Sequence, residues 1–519
     1  MGLAQVWGVV TSGVAGVMVM VEVDVAQGLP SVGVVGLAGL SVTEARWRAR
    51  SAITNIGATW PAARITIGLY PADVPKSGTS LDLPIAVGVL VATGQVPSAS
   101  VRECTFIGEL GLDGSVRGVA GALAASISAQ RHGIKFAYIA RDNAAQVSVV
   151  PGIQAVVIRD LGHLVSVLRG EGVGDEYPPT DAAGGVAMLN GEGLMSRGGD
   201  PDFSDVRGHP YARFALEVAA AGGHHCSMVG PPGVGKSMLA TRLVTILPDL
   251  PADIALDVTA LVSLSGQWPI DRGLVRRPIL QAPHHSASAT AILGTSRGSQ
   301  VLPGALTLAH HGVLFLDEAP EFSRPCLEGL RQPMESGVIT IMRAAHCVTL
   351  PAQFQLVLAS NPCPCGLFIG RGDGCTCTSM SRQRYRERLS GPLLDRIDVR
   401  MSLSRPTSAE LDAGQGEPSA DIRSRVECAR GLARRRFTDE PWSLNAQLPS
   451  ASLRGRWQPS PKACELVTAA ERAGASLRSI DRVLRMAWTI ADLDVADLPT
   501  AEHVAAAMGL RGIETRGNA

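Results

Sequence analysis

Gly230-Pro-Pro-Gly-Val-Gly-Lys236-Ser237 is the stretch on which the fold turns. It fits G-x-x-x-x-G-K-[ST], the loop that closes backbone N–H groups around phosphate oxygens at a helix N-terminus. With Gly at about 0.11, Lys at about 0.008 and Ser plus Thr at about one in eight, ~510 windows yield roughly 0.006 chance matches. Cys226, Met228 and Val229 supply a short apolar strand before the loop. Leu239, Leu243, Ile246 and Leu247 recur at helical spacing after it, until Pro248. In this pattern Gly230, Pro231, Pro232, Gly233, Val234 and Gly235 form the cradle. Lys236 meets the β- and γ-phosphates of ATP, and Ser237 holds Mg²⁺. Eighty residues on, Gly312-Val-Leu-Phe-Leu-Asp317-Glu318 reads as a buried parallel strand ending in two carboxylates. Asp317 is placed to orient the Mg²⁺ shell and Glu318 to polarise the attacking water. A third strand, Phe354 to Ser360, ends in Asn361, whose amide can position the γ-phosphate or the water; a strand-end turn residue is the alternative.

Around this core the 519-residue chain divides into four parts. Residues 1–170 mix Val-rich strands with helices. Val17, Val19, Val21, Val23 and Val25 alternate with Met18, Met20, Glu22 and Asp24, so the uncharged start reads as a half-buried strand and not as a signal or anchor. One helix is expected to start near Thr43 as N-cap and another to cover Gly121 to His132. Residues 171–201 are Gly- and Pro-rich and read as a flexible linker. Residues 202–405 alternate strands and helices as a parallel sheet does, and 406–519 are helical. The fold class is therefore α/β with a helical C-terminal part.

The chain is 46% hydrophobic and 18% charged, which excludes global disorder. Lys+Arg and Asp+Glu both number 47, so any nucleic-acid contact is a local patch. Two arginine groups are candidates: Arg382, Arg384, Arg386 and Arg388 around Tyr385, and Arg423 through Arg436, in which Arg423, Arg430 and Arg434 recur at about helical spacing. Solvated, ion-paired helix faces are the alternative. No apolar run reaches membrane length, so a cytoplasmic protein is expected. Cys363-Pro-Cys365 and Cys375-Thr-Cys377 place four thiols on one Gly-rich stretch, which suits a tetrahedral Zn²⁺; free thiols or a redox pair are the alternatives. The pairs His224–His225, His284–His285 and His310–His311 read as structural or polar, because adjacent side chains point different ways. A DNA contact stays open for the second pair.

The order of the P-loop, the Asp317-Glu318 strand, the Asn361 strand and Gly391-Pro-Leu-Leu-Asp-Arg396-Ile-Asp398 resembles magnesium-chelatase-like AAA+ ATPases. Ala282-Pro-His284-His285-Ser286-Ala-Ser288 and the stretch from Gly304 to Glu321 resemble the ComM/YifB family within them. So do Gly28-Leu-Pro30, Val35-Gly-Leu37 and Pro71-Ala-Asp73-Val-Pro-Lys76-Ser-Gly78 running on to Asp82-Leu-Pro-Ile-Ala86.

The resemblance implies an AAA+ core followed by a helical lid. Arg396 matches an arginine finger acting on the neighbouring subunit's nucleotide, and Arg478 the sensor-2 arginine of the lid; a homohexameric ring follows. It implies an ATP-driven branch-migration helicase acting on branched or single-stranded DNA in homologous recombination of incoming strands. A chelatase-type ATPase that remodels a protein partner and an ATP-dependent protease are the competing classes.

Residues 1–170 resemble the Lon protease domain, through Ile107 to Gly114 and His132-Gly-Ile-Lys135. Ser80 matches the nucleophile, but the dyad lysine falls near Leu123, where 118–131 contains none. A serine without its base is a weak nucleophile, so a protease fold without peptidase activity is expected.

Overall fold

The computed structural model describes residues 2–513 apart from 13–14, 37–38, 73–75, 77–78, 177–187, 191–192, 195–200, 266–272, 298–299, 344–345, 369–373 and 413–415. Leu37, Asp73 and Gly78 of the motifs above, and most of 177–200, lie outside the described residues.

The valine alternation in 17–25 becomes the strand Ala15–Ala26, paired antiparallel with Leu3–Ser12. Val19, Val21, Val23 and Val25 point into one core together with the helices Leu40–Asn55, Asp82–Ala92 and Leu161–Arg169. Met18 points into a second core on the opposite face, under the helix Ala122–Arg131. The strand is thus buried on both faces at its start and on one face further along, where Asp24 is exposed. It lies inside an eight-stranded mixed sheet, ordered 175–176, 154–158, 136–140, 104–107, 3–12, 15–26, 64–70, 31–35. The first helix starts at Leu40, with Gly39 as N-cap, and not at Thr43. Thr43 sits one turn in and bonds its hydroxyl back to the Gly39 carbonyl at 3.2 Å, the other local use of a threonine oxygen near a helix start.

Leu123 is fully buried in the second core, packed among Val9, Met18 and Ile139. The position matched to the dyad lysine is therefore filled with core hydrocarbon. Lys135 pairs with Glu103 on the surface, and Lys76 is buried and donates to the Pro71 carbonyl.

The second sheet has seven strands, ordered 193–194, 188–190, 280–281, 313–316, 355–360, 226–229, 399–402. From 188–190 to 399–402 all neighbours run parallel. Near-continuous apolar strands such as Val313–Leu316, buried at every position, are what a sheet covered on both faces requires. Part of the stretch read as a linker is structured: Met188–Asn190 and Gly193–Leu194 extend this sheet at its edge. Backbone pairing at an open edge needs little from the side chains, so Gly-rich composition hides such strands.

The C-terminal helices Ser419–Arg436, Pro461–Arg472, Leu477–Leu493 and Ala501–Arg511 share one hydrophobic core with the helix Pro210–Gly222 and the strand Cys226–Val229. A buried carboxylate ties them further. Asp398 accepts from the His225 amide at 3.1 Å and from Arg482 Nη1 at 3.1 Å. Burial works against its charge, but the Arg482 guanidinium holds the carboxyl far below its usual range. The N-terminal part docks on the helix Ala252–Leu264: Ala260 and Leu256 join the core of Leu123, and Ser263 Oγ donates to Gln146 Oε1 at 3.2 Å. Among the described residues no helix is long and apolar enough to cross a membrane.

Candidate functional site

Parallel pairing puts the ends of several strands at one edge. Val229 is level with Ser360, and Leu316 with Leu358, so Gly230, Asp317 and Asn361 all emerge there. The Gly230 amide bonds the Ser360 carbonyl at 3.1 Å, which anchors the loop at its start. Gly233 (φ 75°) and Gly235 (φ 93°) then adopt left-handed backbone, which glycine reaches without cost. Gly235 caps the helix Lys236–Leu243. A Cβ on Gly233 would meet no atom within 4 Å, so the loop is open above that residue.

Lys236 Nζ donates to the carbonyls of Gly230 (2.7 Å) and Pro231 (2.9 Å) and to Asn361 Oδ1 (3.0 Å). Its side chain is largely buried; burial lowers its pKa, while Asp317 and Glu318 act to raise it. Ser237 Oγ donates to Asp317 Oδ2 at 2.6 Å, and the Glu318 amide to Asp317 Oδ1 at 2.9 Å. A hydroxyl and a carboxylate oxygen at this spacing are the hard oxygen donors that Mg²⁺ takes, and the lysine and loop amides suit a polyphosphate, so the residues fit Mg²⁺–ATP. The structure thus brings together Lys236, Ser237, Asp317, Glu318 and Asn361.

His285 Nδ1 lies 3.2 Å from Glu318 Oε2. Its place beside Glu318 is not legible in the sequence. The strand Leu280–Gln281 neighbours Val313–Leu316, so the loop after it reaches the same edge. A His-His pair 33 residues before the carboxylates was the available signal, but strand order is not written in the chain. Three of the other paired histidines are structural. His224 Nε2 bonds Thr489 Oγ1 at 2.8 Å, His225 Nδ1 accepts from the Leu356 amide at 3.0 Å, and His310 Nδ1 accepts from the Gln353 amide at 3.1 Å.

Arg396 and Arg478 do not join this cluster. Both line a separate cleft of about 730 Å³, together with Glu335, Arg434, Arg482 and Arg485. Arg396 Nη2 pairs with Glu335 Oε1 at 2.6 Å and Nη1 donates to the Pro392 carbonyl at 2.6 Å. Arg478 is exposed.

The four cysteines converge. Cys363, Cys365, Cys375 and Cys377 offer sulfur atoms all within 4.8 Å of one another, with Cys363–Cys365 at 3.3 Å and Cys375 at 3.6 Å from each of those two. A tetrahedron with Zn–S of about 2.3 Å has edges of about 3.8 Å, so the set fits a metal. Within the cluster the thiols share one charge: the Leu367 amide and the Cys363 thiol hold Cys365 down to about 6, while Cys363 is raised and Cys377 is pushed up to about 11. This loop rests on the phosphate loop: a Cβ on Gly366 would stand 2.6 Å from Pro232 Cδ.

The arginine groups divide. Arg423 donates to the Thr245 carbonyl at 3.1 Å and Arg430 to the Ala220 carbonyl at 3.0 Å. Arg425 bridges Glu217 and Glu417, and Arg436 pairs with Asp492. The helical spacing of Arg423 and Arg430 fastens their helix to its neighbours, which corrects the expectation of a nucleic-acid face at those positions; Arg434 and Arg435 of the group are exposed. In the first group Arg382 stacks over Phe368 at 4.3 Å and Arg388 pairs with Glu321 at 2.5 Å. Arg384 and Arg386 are exposed.

Known proteins agree with this architecture. Residues 202–411 match the family described as magnesium chelatase, subunit ChlI; 21–143 match subunit ChlI of Mg-chelatase; and 416–511 match its C-terminal region. An uncharacterised protein of Mycobacterium tuberculosis is 41% identical over 98% of this chain and 99% of its own. The uncharacterised protein YifB of Escherichia coli is 40% identical over 96% and 94%. The competence protein ComM of Haemophilus influenzae is 37% identical over 99% and 98%. With a chelatase-like core, its helical C-terminal part and full-length relatives of both names, the chain belongs to the ComM/YifB family of magnesium-chelatase-like AAA+ proteins.

Proposed function

We propose that the chain is an ATPase that works as a homohexameric ring and moves branched DNA during recombination of incoming strands. The observation that carries the motor chemistry is the convergence of Lys236, Ser237, Asp317, Glu318 and Asn361 at one sheet edge. Lys236 would turn from the loop carbonyls to the β- and γ-phosphates, with Asn361 orienting its amine. Ser237 and Asp317 would hold Mg²⁺, which when bound neutralises charge on the phosphate oxygens. Glu318 would accept the proton of the attacking water. Arg396 and Arg478, remote from this cluster in the cleft they share, would complete a neighbouring chain's site, which makes turnover depend on assembly. The Cys363 to Cys377 set would hold a structural Zn²⁺ that braces the phosphate loop.

The DNA substrate is supported by the Haemophilus relative's name, a competence protein, and by the exposed Arg384 and Arg386. Arginine–phosphate contacts read charge and not bases, so binding should weaken with salt and show little sequence preference. The test is the ATP hydrolysis rate with and without a synthetic four-way junction at low salt. Stimulation by the junction is expected. A rate that ignores DNA, with no junction binding, refutes the DNA reading and leaves remodelling of a protein partner as the leading one. Peptidase activity is disfavoured by the burial of Leu123 where the base should stand.

A further inference from the structure

Arg396 follows a helix of a single turn, Gly391–Leu394, so the carbonyls around it need partners from outside a helix. Its own Nη1 takes the Pro392 carbonyl. Two other arginines serve the carbonyls that follow. Arg400 Nη2 donates to the Leu394 carbonyl at 2.9 Å. Arg511 Nη1 donates to the Ile397 carbonyl, and Nη2 to the Asp395 carbonyl at a longer 3.4 Å. Asp395 and Ile397 are the residues on either side of Arg396. A guanidinium holds its donors in a fixed planar fork, so engaging both carbonyls sets the backbone of the residue between them.

Arg511 is 3% exposed and ends the last helix, Ala501–Arg511. Val504, Ala507, Met508 and Leu510 of that helix lie in the core shared with the nucleotide sheet, and Gly512 (φ 75°) closes it. Taking a cation this far out of water is costly unless its donors are used. Burial lowers its pKa to about 10, and Arg400 lowers it further, while Asp398 pulls the other way; the group stays charged at neutral pH. Both terminal nitrogens of this buried cation serve main-chain carbonyls of one turn, and that turn carries Arg396.

We propose that Arg511 is a positioning residue for Arg396: from the end of the last helix it fixes the turn 395–397 and so aims the Arg396 guanidinium at the neighbouring chain's nucleotide. The inference rests on the trans reading of Arg396 above and adds the residue that aims it.

The experiment measures ATP binding and steady-state hydrolysis for Arg511→Met, which keeps an apolar stem and loses every donor, and Arg511→Lys, which keeps the charge without the fork. A finger misplaced by about 1 Å loses about 10²-fold in rate, so Arg511→Met should bind ATP as wild type does and show a kcat lower by about that factor. Arg511→Lys should fall between the two. The defect should also be felt across the ring. Mixed with Lys236→Ala chains, Arg511→Met chains should recover part of the turnover, because each supplies the half-site the other lacks. Mixed with Arg396→Ala chains they should recover none, because neither supplies a working finger. If Arg511→Met forms no rings, the same mixtures are made with Arg511→Lys. A kcat within threefold of wild type, a loss of ATP binding, no recovery with Lys236→Ala, or equal recovery with both partners overturns the proposal. The reference mixture of Arg396→Ala with Lys236→Ala separates the two readings: recovery there leaves the trans role standing when the Arg511 proposal fails, and none in rings shown to be mixed overturns both.

Discussion

A lysine amine has three protons to place, and Lys236 places all of them on Gly230, Pro231 and Asn361. Its partners are the groups that line the phosphate position, so exchanging them for phosphate oxygens needs only a short swing of the amine. The histidines show the opposite use of a nitrogen. Burial pushes His225 down to about 4, against the pull of Asp398, and pushes His310 down to about 3. Both ring Nδ1 atoms accept backbone amides and must stay unprotonated. The unfolded chain binds these protons near pH 6.5 and the folded chain only much lower. Stability from this source is therefore complete above about pH 6.5 and falls as pH drops towards 4. Thermal unfolding followed across that window should show a falling midpoint, and His310→Asn, which accepts the Gln353 amide but cannot gain a proton, should flatten part of the fall. A midpoint that stays level from pH 6.5 to pH 4 contradicts this.

Among the elements, the segment from Asn361 to Arg388 does two jobs. Its first residue touches Lys236, its cysteines gather into one cluster, and its helix Ser379–Glu387 is tied back by Arg382 to the Cys377 carbonyl. Arg388, just beyond, reaches the Pro320 carbonyl next to the carboxylate strand. Four thiolates around one metal would fix the loop against Pro232 and so fix the phosphate loop. Purified protein should carry one zinc per chain. Cys375→Ser combined with Cys377→Ser should abolish it and weaken ATP affinity without removing Lys236. Metal analysis returning none, with all four thiols titrating freely, refutes the site. The C-x-C spacing was enough to nominate the ligands; their closeness to the phosphate loop was not legible, since it depends on the strand Gln355–Ser360 lying beside Cys226–Val229.

At the scale of the whole molecule, Arg396, matched to a finger acting on a neighbour, and Arg478, matched to the lid's sensor-2 position, stand together in one cleft, apart from the phosphate loop of the same chain. Asp398 and the shared hydrophobic core hold the C-terminal helices to the nucleotide sheet, so that cleft is a firm surface for a neighbour to dock against. Arg396→Ala should leave ATP binding near wild type and lower hydrolysis by about 10³–10⁵. Lys236→Ala should bind no nucleotide. Mixed rings of the two should recover part of the turnover, because each chain supplies the half-site the other lacks. Turnover that stays absent in rings shown to be mixed contradicts a trans role for Arg396.

Local pattern alone determined the phosphate loop, the carboxylate strand, the valine strand and the four-cysteine set. Each is a short-range signal: a glycine where φ must be positive, an apolar run where both faces are covered, a period of two, a ligand spacing. The tertiary structure decided what no period encodes. Strand order carried His285 to Glu318, although 33 positions separate them along the chain. Helix packing turned Arg423 and Arg430 from a charged face into internal ties, because a guanidinium at helical spacing reads the same whether its face meets water or carbonyl groups. Edge pairing gave structure to Met188–Asn190 and Gly193–Leu194, where main-chain hydrogen bonds need no particular side chains. The strongest sequence signals were those in which the backbone or the chemistry tolerates few residue types; the rest depended on which surfaces folding brought face to face.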